Sequence, residues 1–321
     1  MAKAKNTNLN KAGRAKEDEF YTQITDIEKE LRHYKHYFKG KIIFCNCDDP
    51  EESNFWKYFE LNFEELGLKK LIATHYETEK PSYKLELKAD LDGDGRITSK
   101  DIIKTPLKQN GDFRSPECIE ILQEADIVIT NPPFSLFKEY VEQLVENNKK
   151  FLIIGRETSI TNKTIFTYLR DGLVWLGYNN GDMEFIVPDY YEPRATRYRE
   201  KDGIKYRSLG NAMWLTNLDI EKRHTDLPLY KNYNSTDYQM FDNYDCICVN
   251  RIAEIPCDYS GYMGVPITLL HNHNPEQFEI IGLLAGNTQG LAGIPCKVAK
   301  DGPYLNGKLK FGRLIVKNKR L

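Results

Sequence analysis

Four consecutive residues, Asn131-Pro132-Pro133-Phe134, bring together an amide, two ring-locked backbone units and an aromatic face. The Asn131 side-chain oxygen and the Pro132 backbone carbonyl both accept hydrogen bonds, and the phenyl ring offers a stacking surface. That set suits one task, gripping a planar base by an exocyclic amino group. Two prolines in a row forbid helix and sheet ladder alike, so the turn between amide and ring is stiff. The run Ala125 to Thr130 before it is apolar and β-branched and reads as a buried parallel strand. After it, Ser135 is suited to N-cap a helix with Leu136, Phe137, Tyr140, Val141, Leu144 and Val145 on one side. The tetrapeptide thus falls at the carboxyl end of a strand, where open α/β sheets place their ligands.

The elements needed to position that turn follow from the rest of the chain. Lys41 to Cys47 reads as a first strand, and Asp49 with Pro50 as the N-cap and first residue of a helix buried through Phe55, Phe59, Phe63 and Leu66, with Gly67 ending it. Lys69 to Tyr76 reads as a second strand; Glu77 just beyond it is placed to take ribose hydroxyls, or is only an exposed turn acid. Further strands are expected over Lys150–Gly155, Leu173–Tyr178 and Ala212–Leu218, with a helix over Asn162–Asp171. This alternation predicts an α/β fold, a doubly wound seven-stranded Rossmann-like sheet. From Arg223 the pattern breaks into short segments rich in Asn, Asp, Gly and Pro, which predicts a smaller mixed lobe.

The Asn-Pro-Pro-Phe turn after a strand resembles the catalytic motif of S-adenosylmethionine-dependent amino-methyltransferases. Four further stretches, Asp18-Glu19-Phe20-Tyr21-Thr22, Cys45 to Pro50, Gly111-Asp112-Phe113-Arg114-Ser115, and Gly264 through Glu279, make the chain similar to adenine-specific DNA methyltransferases of the EcoRI modification type. The likeness runs from Asp18 to Gly282. It implies transfer of a methyl group from S-adenosylmethionine to adenine N6 in double-stranded DNA, by Asn131, Pro132, Pro133 and Phe134. It also implies a donor pocket lined by Phe20, Tyr21, Thr22 and Asn131. Asn46, Asp48 and Asp49 would face the donor's methionine part, Asp48 holding its ammonium; Asp112 would accept from the donor adenine's amine, with Phe113 beside that ring. No glycine-rich turn follows the first strand, a departure from the wider superfamily that the EcoRI-type subgroup shares. Phe20 and Tyr21 could instead staple a helix start, and Asp49 and Asp112 could merely cap helices. Other readings of the whole are a methyltransferase acting on cytosine N4, RNA or protein glutamine, and a non-catalytic DNA-binding module.

By this reading residues 1–16 form a basic flexible tail, 17–222 the catalytic domain and 223–321 a target-recognition lobe. Within the second of these, an insertion over 188–207 carries Arg194, Arg197, Arg199, Lys205 and Arg207 interleaved with tyrosines, a mixture suited to phosphates and base edges, or to a solvated hairpin. At 321 residues, 40% hydrophobic and 29% charged, with net charge −2, the composition fits a globular chain. No apolar run spans a membrane and no signal-peptide core is present, so a cytoplasmic location is expected. The seven cysteines include two C-x-C pairs but no zinc-knuckle spacing, so reduced thiols and no metal are expected. Asp90 to Asp101 matches a calcium loop at Asp90, Asp92, Asp94 and Gly95, but its flanks do not read as paired helices, and an insertion loop turning on its own Asp and Gly residues is expected. A monomer is expected, acting beside a cognate restriction endonuclease on the same DNA site without forming a stable complex.

Overall fold

The computed structural model describes residues 20–47, 49–77, 82–285, 290–297 and 302–321. Asp48 and the basic tail 1–16 lie outside these residues. The chain forms two compact units, Met1–Glu157 with Gly177–Leu218, and Thr158–Leu176 with Asp219–Leu321. The segment 158–176, which the sequence assigns to the catalytic domain, thus belongs to the second unit, and the division after it falls at Leu218.

Twelve strands precede that division: β1 (Tyr21–Thr22), β2 (Ile42–Cys45), β3 (Lys70–Thr74), β4 (Tyr83–Leu87), β5 (Ile103–Pro106), β6 (Ile127–Thr130), β7 (Lys150–Arg156), β8 (Trp175–Leu176), β9 (Glu184–Val187), β10 (Tyr198–Lys201), β11 (Ile204–Ser208) and β12 (Ala212–Thr216). The main sheet has the order β5-β4-β3-β2-β6-β7-β12-β8. The expected seven-stranded sheet is therefore eight-stranded, and it is mixed. β3-β2-β6-β7 run parallel, whereas β4, β5 and β12 join antiparallel to their neighbours. The extra strand is β5, since β4 falls on the run Tyr83 to Leu87, whose alternating side chains themselves read as a strand. It ends on Pro106, which is tolerated because β5 is the outermost strand and that edge needs no further ladder donor. The expected strand over 173–178 narrows to Trp175–Leu176.

The helices are α1 (Ile24–Leu31), α2 (Asn54–Leu61), α3 (Pro116–Glu124), α4 (Phe137–Glu146) and α5 (Lys163–Arg170). Ser53, not Asp49, caps α2, its hydroxyl accepting from the amides of Phe55 and Trp56 at 3.2 and 3.5 Å. Asp49 instead closes a turn, its carbonyl accepting from the Ser53 amide at 2.6 Å. Phe55, Phe59, Phe63 and Leu66 are all buried, as the periodicity requires. Likewise Ser115, not Asp112, caps α3 through the Cys118 amide. Ser135 is not the N-cap of α4: a short 3-10 turn, Phe134–Leu136, precedes the helix, whose N-cap position falls on Leu136.

A second, antiparallel sheet has the order β1-β9-β11-β10. Its hairpin turns on Asp202 and Gly203 at φ +53° and +76°, the left-handed pair that two-residue hairpins need. β1 pairs Tyr21 with Ile186 and Thr22 with Phe185, so the segment after Phe20 is tied to the start of the basic insertion. Glu30 anchors the same unit from inside. Its carboxylate is fully buried and accepts from Tyr34 Oη (2.9 Å), the amides of Tyr178 and Asn179 (2.8 Å each) and Asn179 Nδ2 (2.8 Å).

The loop between β4 and β5 is folded on its own side chains. Asp90 accepts from the Gly93 and Gly95 amides, and the buried Asp101 from the amides of Leu91, Asp92 and Thr98. Asp90, Asp92 and Asp94 each have a carboxylate oxygen within 4.8 Å of the others, with Lys100 Nζ 3.8 and 3.7 Å from Asp92 and Asp94. All seven cysteines are free thiols.

The second unit holds β13 (Ile247–Cys248), β14 (Met263–Pro266), β15 (Phe278–Leu284), β16 (Tyr304–Leu305), β17 (Lys308–Leu309) and β18 (Arg313–Asn318). Four of them make a sheet in the order β13-β14-β18-β15, with a register shift between Ile280 and Gly282. Among the described residues no helix is long and apolar enough to cross a membrane.

Candidate active site at the Asn131 turn

β6 is fully buried between β2 and β7 and delivers Asn131 to its carboxyl end. The Asn131 amide is itself only 6% exposed. Its Nδ2 donates to the backbone carbonyl of Phe20, but its Oδ1 has no hydrogen-bond partner. A buried carbonyl oxygen left unpaired costs about 1–3 kcal/mol, so a fold that keeps one holds a vacant acceptor beside the turn.

Aromatic rings surround that acceptor's neighbour. Phe134, partly exposed, lies 5.5 Å from Phe20 and 6.3 Å from Phe185 between ring centroids; Phe20 in turn meets Phe185 at 5.9 Å and Tyr191 at 6.1 Å. Arg156, at the end of β7, sets its guanidinium carbon 5.1 Å from the Phe134 centroid, and its Nε is buried without a partner. Thr22 Oγ1 is a further buried atom without a partner.

Asn46 ties β2 to β6 and to α4. Its backbone carbonyl accepts from the Thr130 hydroxyl and its Oδ1 from Tyr140 Oη. That amide oxygen is therefore spent within the fold. Asp49 is half-buried, with one oxygen on the Glu51 amide at 2.9 Å and the other 3.6 Å from His75 Nε2.

On the other side of β3, the Glu77 amide donates to the Asn110 carbonyl at 3.0 Å, which sets the loop carrying Glu77 against the loop carrying Asp112. Gly111 makes this approach feasible: a Cβ there would lie 1.9 Å from the His75 carbonyl oxygen. Asp112 lines an open recess of about 410 Å³ with Gln109, Asn110, Arg114, Ser115 and Pro116. The Arg114 side chain binds both oxygens, at 2.9 and 2.7 Å, and holds the Asp112 carboxyl below the usual carboxylate range. Phe113 is buried edge-on to Tyr140, centroids 5.0 Å apart.

A family model described as adenine-specific methyltransferase EcoRI matches residues 8–319. The chain belongs to this family of adenine-specific methyltransferases. Curated relatives agree over nearly the whole length. The Type II methyltransferase M.EcoRI of Escherichia coli is 45% identical over 99% of this chain and 98% of its own. M.MgeORF184P of Mycoplasma genitalium and M.MpnI of Mycoplasma pneumoniae, both Type II methyltransferases, are 39% and 38% identical over 98% and 97% of this chain and 99% and 98% of theirs.

As a member of this family the protein is a methyltransferase that requires a methyl donor. The sequence did not mark Arg156 or Phe185 beside Phe134, nor Tyr191 against Phe20. Arg156 alone carried a signal, as the charge that closes the run Phe151 to Gly155; Phe185 reaches Phe134, and Tyr191 reaches Phe20, from more than 50 residues away, and neither leaves a local trace. The insertion's cations are woven into their own hairpin. Arg199 forks onto Glu184 and covers the Tyr206 ring at 3.9 Å, Arg197 reaches the Leu209 carbonyl, Arg207 that of Thr196, and Lys205 that of Tyr191. Arg194 lies 5.9 Å from the Tyr191 ring.

Proposed function

We propose that the protein is a site-specific DNA adenine-N6 methyltransferase using S-adenosylmethionine, with Asn131 at the centre of catalysis. One observation carries this reading, the buried Asn131 Oδ1 that no group among the described residues satisfies. An acceptor held vacant at a strand's carboxyl end suits an incoming amino group.

S-adenosylmethionine supplies a methyl group already activated on a sulfonium. The chain's task is to ready the acceptor amine, whose lone pair is delocalised into the purine. Asn131 Oδ1 and the Pro132 carbonyl accept its two hydrogens, draw it toward tetrahedral geometry and localise that lone pair. The amine, briefly cationic after transfer, then loses a proton, so the residues act by positioning and charge stabilisation rather than as a general base. The Asn131 Nδ2 bond to the Phe20 carbonyl fixes which way the amide points. Phe134 stacks on the base, and Arg156 and Phe20 hold that ring in place.

The residues fit the donor in kind. Asp112 and Glu77 are carboxylates on adjoining loops beside an open recess, suited to an adenine amine and ribose hydroxyls. Phe20, Tyr21 and Thr22 precede α1 next to the turn, and Thr22 keeps an unpaired buried hydroxyl. Asn46, its Oδ1 occupied by Tyr140, serves as a brace for this wall, while Asp49 faces the same side. The Asp112 carboxylate takes three bonds from Arg114, only one of them on Oδ2, which keeps a lone-pair site for an amine.

A base inside a duplex is out of reach, so the target adenine is flipped out at a cost of a few kcal/mol, which Phe134 stacking of about 1–3 kcal/mol largely offsets. Arg194, Arg197, Arg199, Lys205 and Arg207 of the hairpin contact DNA phosphates with the guanidinium and ammonium donors their internal bonds leave over, and residues 223–321 read the target sequence. The relatives are named as Type II methyltransferases, which favours a role in restriction-modification; in this reading the enzyme acts as a monomer beside a separate endonuclease.

The test is to incubate the purified chain with S-adenosylmethionine and a duplex of mixed sequence and map the modified bases. N6-methyladenine within one recurrent word is expected. Methyl groups on cytosine alone, on RNA alone or nowhere would overturn the reading.

A further inference from the structure

Apart from the turn, the second unit contains a recess of about 240 Å³ between the end of α5 and the start of β15. Its lining brings together Arg170, Lys222, Arg223 and Lys319, four permanent cations, against the acids Asp171 and Glu279. Asp171 is already engaged by Arg170 at 2.8 Å. The recess is therefore electropositive.

Arg223 is the residue built for a ligand. Its guanidinium carbon lies 3.9 Å from the Trp175 ring centroid, and its Nε is buried with no hydrogen-bond partner. Asp219, its acidic neighbour, pairs with Nη1 at 3.7 Å rather than with Nε, and is not part of the lining. Stacking on an indole fixes the plane of the guanidinium, and a fixed plane with an unspent Nε–H is the arrangement that meets two oxygens of one anion. Burial lowers the basicity of Arg223, so the group stands to gain from a counter-charge. The same field reaches His273, whose Nε2 is bonded to the Phe278 carbonyl at 2.8 Å: burial first, then Arg223 and Lys319, push its basicity down.

Size narrows the ligand. Sites for drug-sized molecules occupy roughly 300–1,000 Å³, so this recess is too small for a whole nucleoside donor. It has room for a phosphoryl group and its ester oxygens.

We propose that this recess is a phosphate-binding site in which the Trp175-stacked Arg223, with Lys319 and Lys222, takes a phosphoryl group, either one phosphate of the DNA backbone or a free phosphate. Nothing in the donor or target-base chemistry at Asn131 requires it, and the phosphate arm of its test needs no DNA, so its failure and a failure to methylate adenine are separable.

The experiment uses the full chain in two arms. In the first, thermal melting is followed with inorganic phosphate against chloride at matched ionic strength. In the second, duplex binding is measured across salt concentrations. Arg223→Gln is compared with the wild type, and Lys319→Gln, on the recess rim, serves should the first variant fail to fold. A backbone phosphate predicts that the slope of log K against log salt falls in magnitude by about 0.9, the share of one DNA phosphate that the variant no longer neutralises. A free phosphate predicts stabilisation of the wild type by millimolar phosphate that the variant lacks, with an unchanged salt slope. Either result supports the site. A wild type indifferent to phosphate together with salt slopes equal to the variants' overturns it.

Discussion

Glu30 and Asn131 are both buried polar side chains of the first unit, and they are finished differently. The Glu30 carboxylate is met by four donors from Tyr34, Tyr178 and Asn179. The Asn131 amide has its nitrogen tied and its oxygen left open. A satisfied buried group is a structural joint, and removing it harms the fold. A half-satisfied one burdens the fold, and keeping it makes sense only if something from outside completes it. The contrast separates stability from function inside one unit.

The largest expected effect is on chemistry. Asn131→Ala should lower turnover by about 10²–10³-fold, the usual loss on removing one preorganised polar group at a reacting centre. Donor binding by calorimetry and the melting temperature should change little, since the substitution removes a single hydrogen bond, the one to the Phe20 carbonyl. Unchanged turnover would erase the distinction.

Glu30→Gln should do the reverse. It sets an NH2 against N–H donors and should cost about 2–4 kcal/mol in urea unfolding while turnover per folded molecule persists. Phe134→Ala should come next, losing roughly 1–3 kcal/mol of base stacking, read as weaker kcat/KM with an unaltered donor titration.

A smaller signature is in pH. Burial outweighs the four donors and raises the Glu30 carboxyl above its ordinary value. The native state then holds this proton more tightly than the unfolded chain. Its stabilising contribution is complete below the ordinary carboxyl value, about 4.3, and is lost as pH rises through the raised one. Urea midpoints of the wild type should fall over that window relative to Glu30→Gln, and parallel curves would contradict the assignment. Smallest is Arg199→Gln, which should trim the salt slope of DNA binding by about 0.9 if the hairpin lies on phosphates, and leave it untouched if it is only a solvated ribbon.

Much of the central turn was legible from sequence because its causes are local. A β-branched run makes a strand, two prolines stop it, and Phe137, Tyr140, Val141 and Leu144 recur at helical spacing and are buried. Local reasoning misplaced the caps. Asp49 and Pro50 fit a helix start as well as the turn they form, and only the downstream Ser53 hydroxyl decided between them. The eighth strand was hidden by Pro106, a residue that argues against a strand everywhere but at an edge, and edges are a property of the assembled sheet. Glu30 could not be assigned at all, because three of its four donors lie 148 or 149 residues along the chain. The open oxygen of Asn131 was likewise invisible, since it is defined by what fails to reach it.

Gly111 has a consequence for how this chain tolerates change. With no side chain, it lets the backbone press against the His75 carbonyl, and next to it Asn110 receives the Glu77 amide. The two loops that bear Glu77 and Asp112 are thereby stapled at the base of everything strung between them. The aspartate-rich loop between β4 and β5, folded on its own side chains, can be resized without re-aiming either acid and is a natural place to graft foreign sequence, whereas β4 itself is held beside β3 with Leu85 and Leu87 buried, and any side chain at position 111 would prise both acids apart at once.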